Sequence, residues 1–402
     1  MRPERRWSPA RCNPRRAGII DKLGVSAASD CPACALFRTT GLSRPSNAPI
    51  PHRSLSLSPT ADSRLEALRL WLRGLPSSLG LQTETLRPAS SDASFRRYFR
   101  LDAGAGSVIV MDAPPPHEDT RPFLHVAGLL RDAGLNVPAI LAEDPPRGFL
   151  LLSDLGPHTY YQRIQDGLDD ATLQTLYRQA LAALVRMQQA SVSGLAAYDS
   201  ARLMAELELF PEWYVARHHG LALDTDARAA LQGVFQLLST ANGSQPTVLV
   251  HRDFHSPNLM ACEDPRHGPN PGIIDFQDAL AGPITYDLAS LVTDARTTWE
   301  EAQQLDWAIR YWEMARAASL PVAADFADFH RAYEWMGLQR NLRILGVFAR
   351  LHHRDGKPGY LAHIPRVNGY VRQVASRYGV FAPLLRLLDR LDDSQPTVGY
   401  TF

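Results

Sequence analysis

Between Thr247 and Met260 the chain reads TVLVHRDFHSPNLM, an apolar run that breaks into polar groups and then turns apolar again. His251, Asp253, His255 and Asn258 fall within eight residues, and Asp275 closes a second apolar run, GIID, seventeen residues after Asn258. A carboxylate and an amide oxygen suit a hard cation such as Mg²⁺, which takes few protein ligands and fills its shell with water and phosphate. With Asn258 and Asp275 on the metal, Asp253 is free to accept a hydroxyl proton, which is the division of labour of phosphoryl transfer. His255 follows His251 by four residues, but Pro257 makes the segment a loop. The helical spacing that would pair two histidines on zinc therefore does not apply.

Three short strands, at 247–250, 258–261 and 272–275, must position these groups, and the rest of the C-terminal half reads as helix. Helical periodicity covers about 171–190, 201–218, 224–240, 300–318, 325–350 and 366–391. The N-terminal half differs. A helix at 63–75 precedes strand patterns at 83–88, 95–102 and 107–112, with the small-residue turn ASSDAS at 89–94 between the first two. A helix at 121–133 and an apolar strand at 148–152, breaking at SDLGP, complete this half. The expectation is α+β, with a small sheet lobe over 61–155 and a larger helical lobe over 156–402.

The chain has 402 residues and no formal net charge, so its overall field gives no reason to expect a nucleic-acid partner. Residues 1–60, however, carry ten basic side chains against three acidic ones and are rich in Pro and Ser. Lacking apolar periodicity, they read as a disordered extension. No apolar run is long enough for a membrane span or a signal core, and the expected location is the cytoplasm. Three of the four cysteines, Cys12, Cys31 and Cys34, lie in that extension without a second ligand pair, leaving Cys262 in the body.

The segments HRDFHSPNLM and IIDFQDALAGPITYDLASL resemble the aminoglycoside-phosphotransferase branch of the protein-kinase-like fold, over about residues 63–391. That resemblance implies a bilobal fold, ATP and Mg²⁺ as cofactors and a small-molecule acceptor. It makes Asp253 the catalytic base, Asn258 and Asp275 the metal ligands, and Ser153, Asp154 and Leu155 the hinge beside adenine. Ser91 and Ser94 belong to the turn that would cover the phosphates. His251 and Asp287 are implied supports of the loop. The segments SFRRYFRL, VIVMDAPP, FLLLSDLG, ELFPEWY and LQRNLRILGVFARL further resemble kinases acting on the anomeric hydroxyl of N-acetylmuramate and N-acetylglucosamine in cell-wall recycling. The implied product is a sugar 1-phosphate that feeds UDP-sugar synthesis.

One departure from the kinase pattern matters. The third strand reads VIVMD, with Met111 where a phosphate-holding Lys belongs, and the chain has only Lys22 and Lys357. The following helix also lacks an interior Glu. Arg96, Arg97 and Arg100 flank the ASSDAS turn, and guanidinium groups bind phosphate bidentately. Strand alternation sets Arg96 and Arg100 against Arg97, and Arg97 is taken as the nucleotide-facing residue. For the acceptor, Glu206 and Trp213 precede the loop where such pockets form, and Arg340 with Asn341 interrupts an otherwise apolar helix. An arginine there would suit the lactyl carboxylate of a muramate; the plain alternative for Trp213 is a core aromatic. Two other functions stay open: a kinase for an aminoglycoside or an amino-alcohol such as choline, and a pseudokinase scaffold.

Overall fold

Asp62 accepts the Leu65 N–H at 3.0 Å and starts α1 (Ser63–Arg73), whose Leu68, Trp71 and Leu72 share one buried face. In the computed structural model, residues 62–393 are described apart from 92–94, 105 and 116, so Ser94 and the 1–60 extension lie outside the described residues. The chain divides into two units, Met1–Pro59 and Thr60–Phe402, and all the described residues belong to the second.

The sheet contains β1 (Arg87–Ser91), β2 (Arg97–Ala103), β3 (Gly106–Asp112), β4 (Ile140–Asp144) and β5 (Phe149–Ser153), in the order β1-β2-β3-β5-β4. All its pairings are antiparallel. Helix α1 covers one face, clustering with Leu101, Val108, Val110, Phe149 and Leu151. Helix α2 (Arg121–Asp132) covers the other through Phe123, Val126, Ala127 and Leu130, which meet Met111, Leu150 and Leu152. The core beneath α2 continues without a break into the helical half, reaching Tyr160, Leu249 and Trp307. The two halves are thus welded by apolar packing at α2 as well as joined by the chain at 153–156.

The helical half begins with α3 (Tyr160–Asp166) and α4 (Asp170–Gln188), followed by α5 (Ser200–Leu207). A π-helix over Phe210–His218 continues α5 where one straight helix was expected. Pro211 lies in its first turn, and a Cβ on Gly346 would come within 2.4 Å of Leu209 backbone, so a neighbouring helix crosses at contact distance there. Helix α6 (Thr225–Gly243) leads into β6 (Thr247–Val250), then β7 (Leu259–Met260), β8 (Gly272–Ile273) and β9 (Leu280–Pro283). The remaining helices are α7 (Tyr286–Val292), α8 (Glu301–Ala317), α9 (Phe326–His353), α10 (Ile364–Arg377) and α11 (Ala382–Asp393). Helix α9 is the spine: its buried face runs from Phe329 to Ala349 and supports a second core with α6, α10 and α11.

No helix among the described residues is long and apolar enough to cross a membrane.

Candidate active site

Strand β6 is buried over Val248–Val250 and pairs with β9, so it delivers the following loop from a rigid, dry support. The loop is held from beneath by α7, every residue of which is buried. Asp287, wholly inaccessible, accepts the His251 N–H at 2.6 Å and the Arg252 N–H at 3.0 Å. Asp294, just beyond the same helix, accepts the Ser256 N–H at 3.2 Å and the Ser256 hydroxyl. One carboxylate in the first turn of α7 and one just past its end thus brace the two ends of the loop. Burial pushes Asp287 up to about 6, while the two N–H donors and the His251 ring oppose the shift.

His251 is fixed as a particular tautomer. The Asp253 N–H donates to Nδ1 at 3.3 Å, so Nδ1 is the acceptor, and Nε2–H donates to the Ile274 carbonyl at 3.0 Å. The ring thereby ties the loop to the end of β8, whose residue pair Leu259 and Ile273 sets Asn258 beside Asp275. Asn258 Nδ2 lies 3.3 Å from Asp275 Oδ2 and 3.0 Å from the Asp253 carbonyl. Asp275 sits at φ 63°, a left-handed conformation that non-glycine residues adopt at about 1–3 kcal/mol and retain where surroundings impose it. Asn258 and Asp275 therefore lie side by side against the Asp253 backbone, with amide and carboxylate oxygens of the kind a hard divalent cation takes.

Burial alone would raise Asp253, but the charges of His255, Arg343, Arg340 and His251 outweigh it and hold the carboxyl at about 2. Burial pushes His255 itself below its usual range, so at neutral pH that imidazole is uncharged. The standing attraction on Asp253 then comes from Arg343 and Arg340 of α9. Arg340 is 2% exposed, and its Nε and Nη1 have no hydrogen-bond partner among the described residues. A buried guanidinium with open donors is costly unless something pairs with it.

On the sheet side, strand alternation separates the arginines as expected, but the face is the opposite of the one chosen for Arg97. Arg97 shares its face with Phe99 and Leu101 under α1, and its guanidinium pairs with buried Asp112 at 2.6 Å and with Asp62. Arg96 is on the side of Tyr98, facing the helical half, and its guanidinium lies 3.8 Å from Asp275 and 3.7 Å from Glu118. Met111 is buried in the apolar core. Arg100 binds Asp154 at 2.6 Å, and Ser107 donates to the same carboxylate at 2.7 Å, so the Asp154 side chain is engaged within the sheet. Ser153 and Leu155 flank it; Leu155 is 5% exposed and Ser153 Oγ accepts the Ala139 N–H at 2.9 Å. Ser91 ends β1 opposite Arg97.

The four acceptor candidates do not assemble together. Glu206 is spanned by Arg252 at 2.9 Å, Arg343 at 3.1 Å and the Tyr198 hydroxyl, so both its oxygens are engaged by protein. Trp213 packs against the second core with Arg217 over its ring at 5.7 Å. Asn341 turns away from Arg340, since adjacent helical residues point about 100° apart. It lies 3.5 Å from Thr293 and lines a cavity of about 70 Å³ between α8, α9 and α10. Arg343, Arg252, Asp294 and Glu118 were not anticipated from sequence. Of these, Asp294 had a signal, a second acid seven residues after Asp287 that closes an otherwise mostly apolar run.

This arrangement is that of a phosphotransferase, and the chain belongs to the APH phosphotransferase enzyme family, whose model matches residues 85–324. It is 46% identical to the N-acetylmuramate/N-acetylglucosamine kinase of Pseudomonas aeruginosa, over 82% of this chain and 97% of that one. Identity to the kinase of the same description from Pseudomonas putida is 44%, over 83% of this chain and 98% of that one. The fold matches the ADP-bound aminoglycoside phosphotransferase APH(2'')-Ib with a TM-score of 0.52, at 13% identity, over 78% of this chain and 99% of that one.

Proposed function

We propose that the protein transfers the γ-phosphoryl group of ATP to the anomeric hydroxyl of N-acetylmuramate or N-acetylglucosamine, giving the sugar 1-phosphate in the cytoplasm. The nearness of the kinases so named supports the acceptor class. The observation that carries the reading is the position of Arg340 and Arg343 beside Asp253. Two cations next to the base favour a neutral or anionic acceptor and oppose choline or an aminoglycoside by like-charge repulsion.

Asp253, ionised at working pH, accepts a hydrogen bond from the attacking hydroxyl and aligns it in line with the γ-phosphorus. Asn258 and Asp275 are the residues that would hold Mg²⁺, which when bound neutralises charge on the triphosphate. Arg96, steadied by Glu118, takes the phosphate-holding place that Met111 cannot fill, and the backbone at Ser153, Asp154 and Leu155 borders the adenine. Arg340 pairs with the lactyl carboxylate when the acceptor is the muramate.

The test is a phosphate-transfer assay with ATP and N-acetylmuramate, N-acetylglucosamine, choline and an aminoglycoside side by side. Transfer to C1 of the two sugars is expected. Transfer to choline or the aminoglycoside alone would overturn the acceptor class, and nucleotide binding without turnover on any of them would favour the scaffold.

A further inference from the structure

We infer that Glu206 is a positioning residue of the catalytic loop, acting through Arg252. Arg252 lies between His251 and Asp253, so its backbone angles decide where both side chains point. It adopts φ 77°, a left-handed conformation disfavoured for a residue with a Cβ by roughly 5- to 30-fold. Two contacts hold it there. Its N–H donates to Asp287 at 3.0 Å, and its guanidinium donates to Glu206 at 2.9 Å.

Glu206 in turn is anchored by the Arg343 guanidinium at 3.1 Å and by the Tyr198 hydroxyl, while the Arg252 guanidinium lies over the Tyr198 ring at 5.6 Å. Arg252, Glu206 and Arg343 are each less than one-fifth exposed. The clamp therefore contains two cations and one carboxylate, next to the Asp253 anion that Arg343 also attracts. Without the Glu206 charge, the Arg252 guanidinium loses its carboxylate partner, and the left-handed residue between His251 and Asp253 keeps only its backbone contact to Asp287. Glu206 thus keeps the loop turned, from a helix 46 residues earlier in the chain.

The inference rests on Asp253 being the base. It predicts a coupling that a merely structural ion pair would not show. Glycine adopts the left-handed conformation freely and has no side chain for Glu206 to hold, so Arg252→Gly should make turnover insensitive to Glu206. Glu206→Gln is expected to lower kcat roughly 10-fold while nucleotide KM changes by less than about 2-fold, and in the R252G background the same change should cost less than about 3-fold. Equal losses in both backgrounds, no loss in the R252 background, or a loss confined to nucleotide KM would each overturn the inference. If E206Q does not fold, Glu206→Asp, which keeps the charge but shortens the reach, is put through the same cycle with the same expectation. D253N measured alongside separates the two readings: wild-type turnover in D253N would remove the base itself, whatever Glu206 does.

Discussion

Removing the Arg340 guanidinium, as Arg340→Met, should change acceptor preference more than catalysis as such. The side chain is 2% exposed with Nε and Nη1 unpartnered, so its donors are available to a bound carboxylate without first breaking a protein contact. A hydrogen bond to a charged group is worth about 1.5–3 kcal/mol, which converts to roughly 10- to 150-fold in kcat/KM. N-acetylglucosamine lacks the lactyl carboxylate and loses only the shared effect of one fewer cation near Asp253. The quantity to measure is therefore the ratio of kcat/KM for N-acetylmuramate to that for N-acetylglucosamine, in a coupled assay of ADP release. The ratio should fall about 10- to 150-fold in the variant. An unchanged ratio, with both acceptors losing the same factor, would refute the idea that Arg340 touches the acceptor and leave it acting only on Asp253.

Further expectations follow from the same geometry. Arg96→Met should raise nucleotide KM at least about 10-fold, the loss of a charge-assisted contact, whereas Arg97→Met should leave nucleotide KM nearly alone and lower the melting temperature through Asp112. The reverse pattern in steady-state kinetics would restore Arg97 to the phosphate. Asp287, raised to about 6 from 3.8, binds a proton more tightly in the folded state than in the unfolded chain. Its contribution is fully present below the unfolded value and is lost as pH rises through the folded one. Comparing Asp287→Asn with wild type, the unfolding free-energy difference should shift by about 2 kcal/mol in favour of the variant between pH 4 and pH 7. A pH-independent difference, by urea titration, would contradict the burial argument.

The catalytic loop was legible because its information is local. His251, Asp253, Asn258 and Asp275 lie within one strand-loop-strand unit, where spacing and alternation determine who meets whom. Arg97 shows where locality ends. Alternation separated it from Arg96, but which face of β2 looks inward depends on α1, whose Leu68, Trp71 and Leu72 cover the Arg97 side from some thirty residues upstream. Strand β4 escaped notice as an edge strand with alternate residues exposed, and β9, LAGP, because Gly and Pro read as a turn. The helix expected over 366–391 breaks at Tyr378, in extended conformation, ahead of the 3₁₀ turn Gly379–Phe381. Gly379 and Pro383 were the available signals there. Arg343 gave none: it is one polar residue on α9, and its partner Glu206 is 137 positions away.

Asp253 carries the central claim, and Asp253→Asn tests it most directly, through nucleotide affinity by titration and turnover on N-acetylmuramate in the same preparation. Asparagine keeps the shape but cannot take the proton. Nucleotide binding should be retained while turnover falls roughly 10²- to 10⁴-fold, the scale of general-base assistance. Turnover at the wild-type rate, with nucleotide binding intact, would contradict the account.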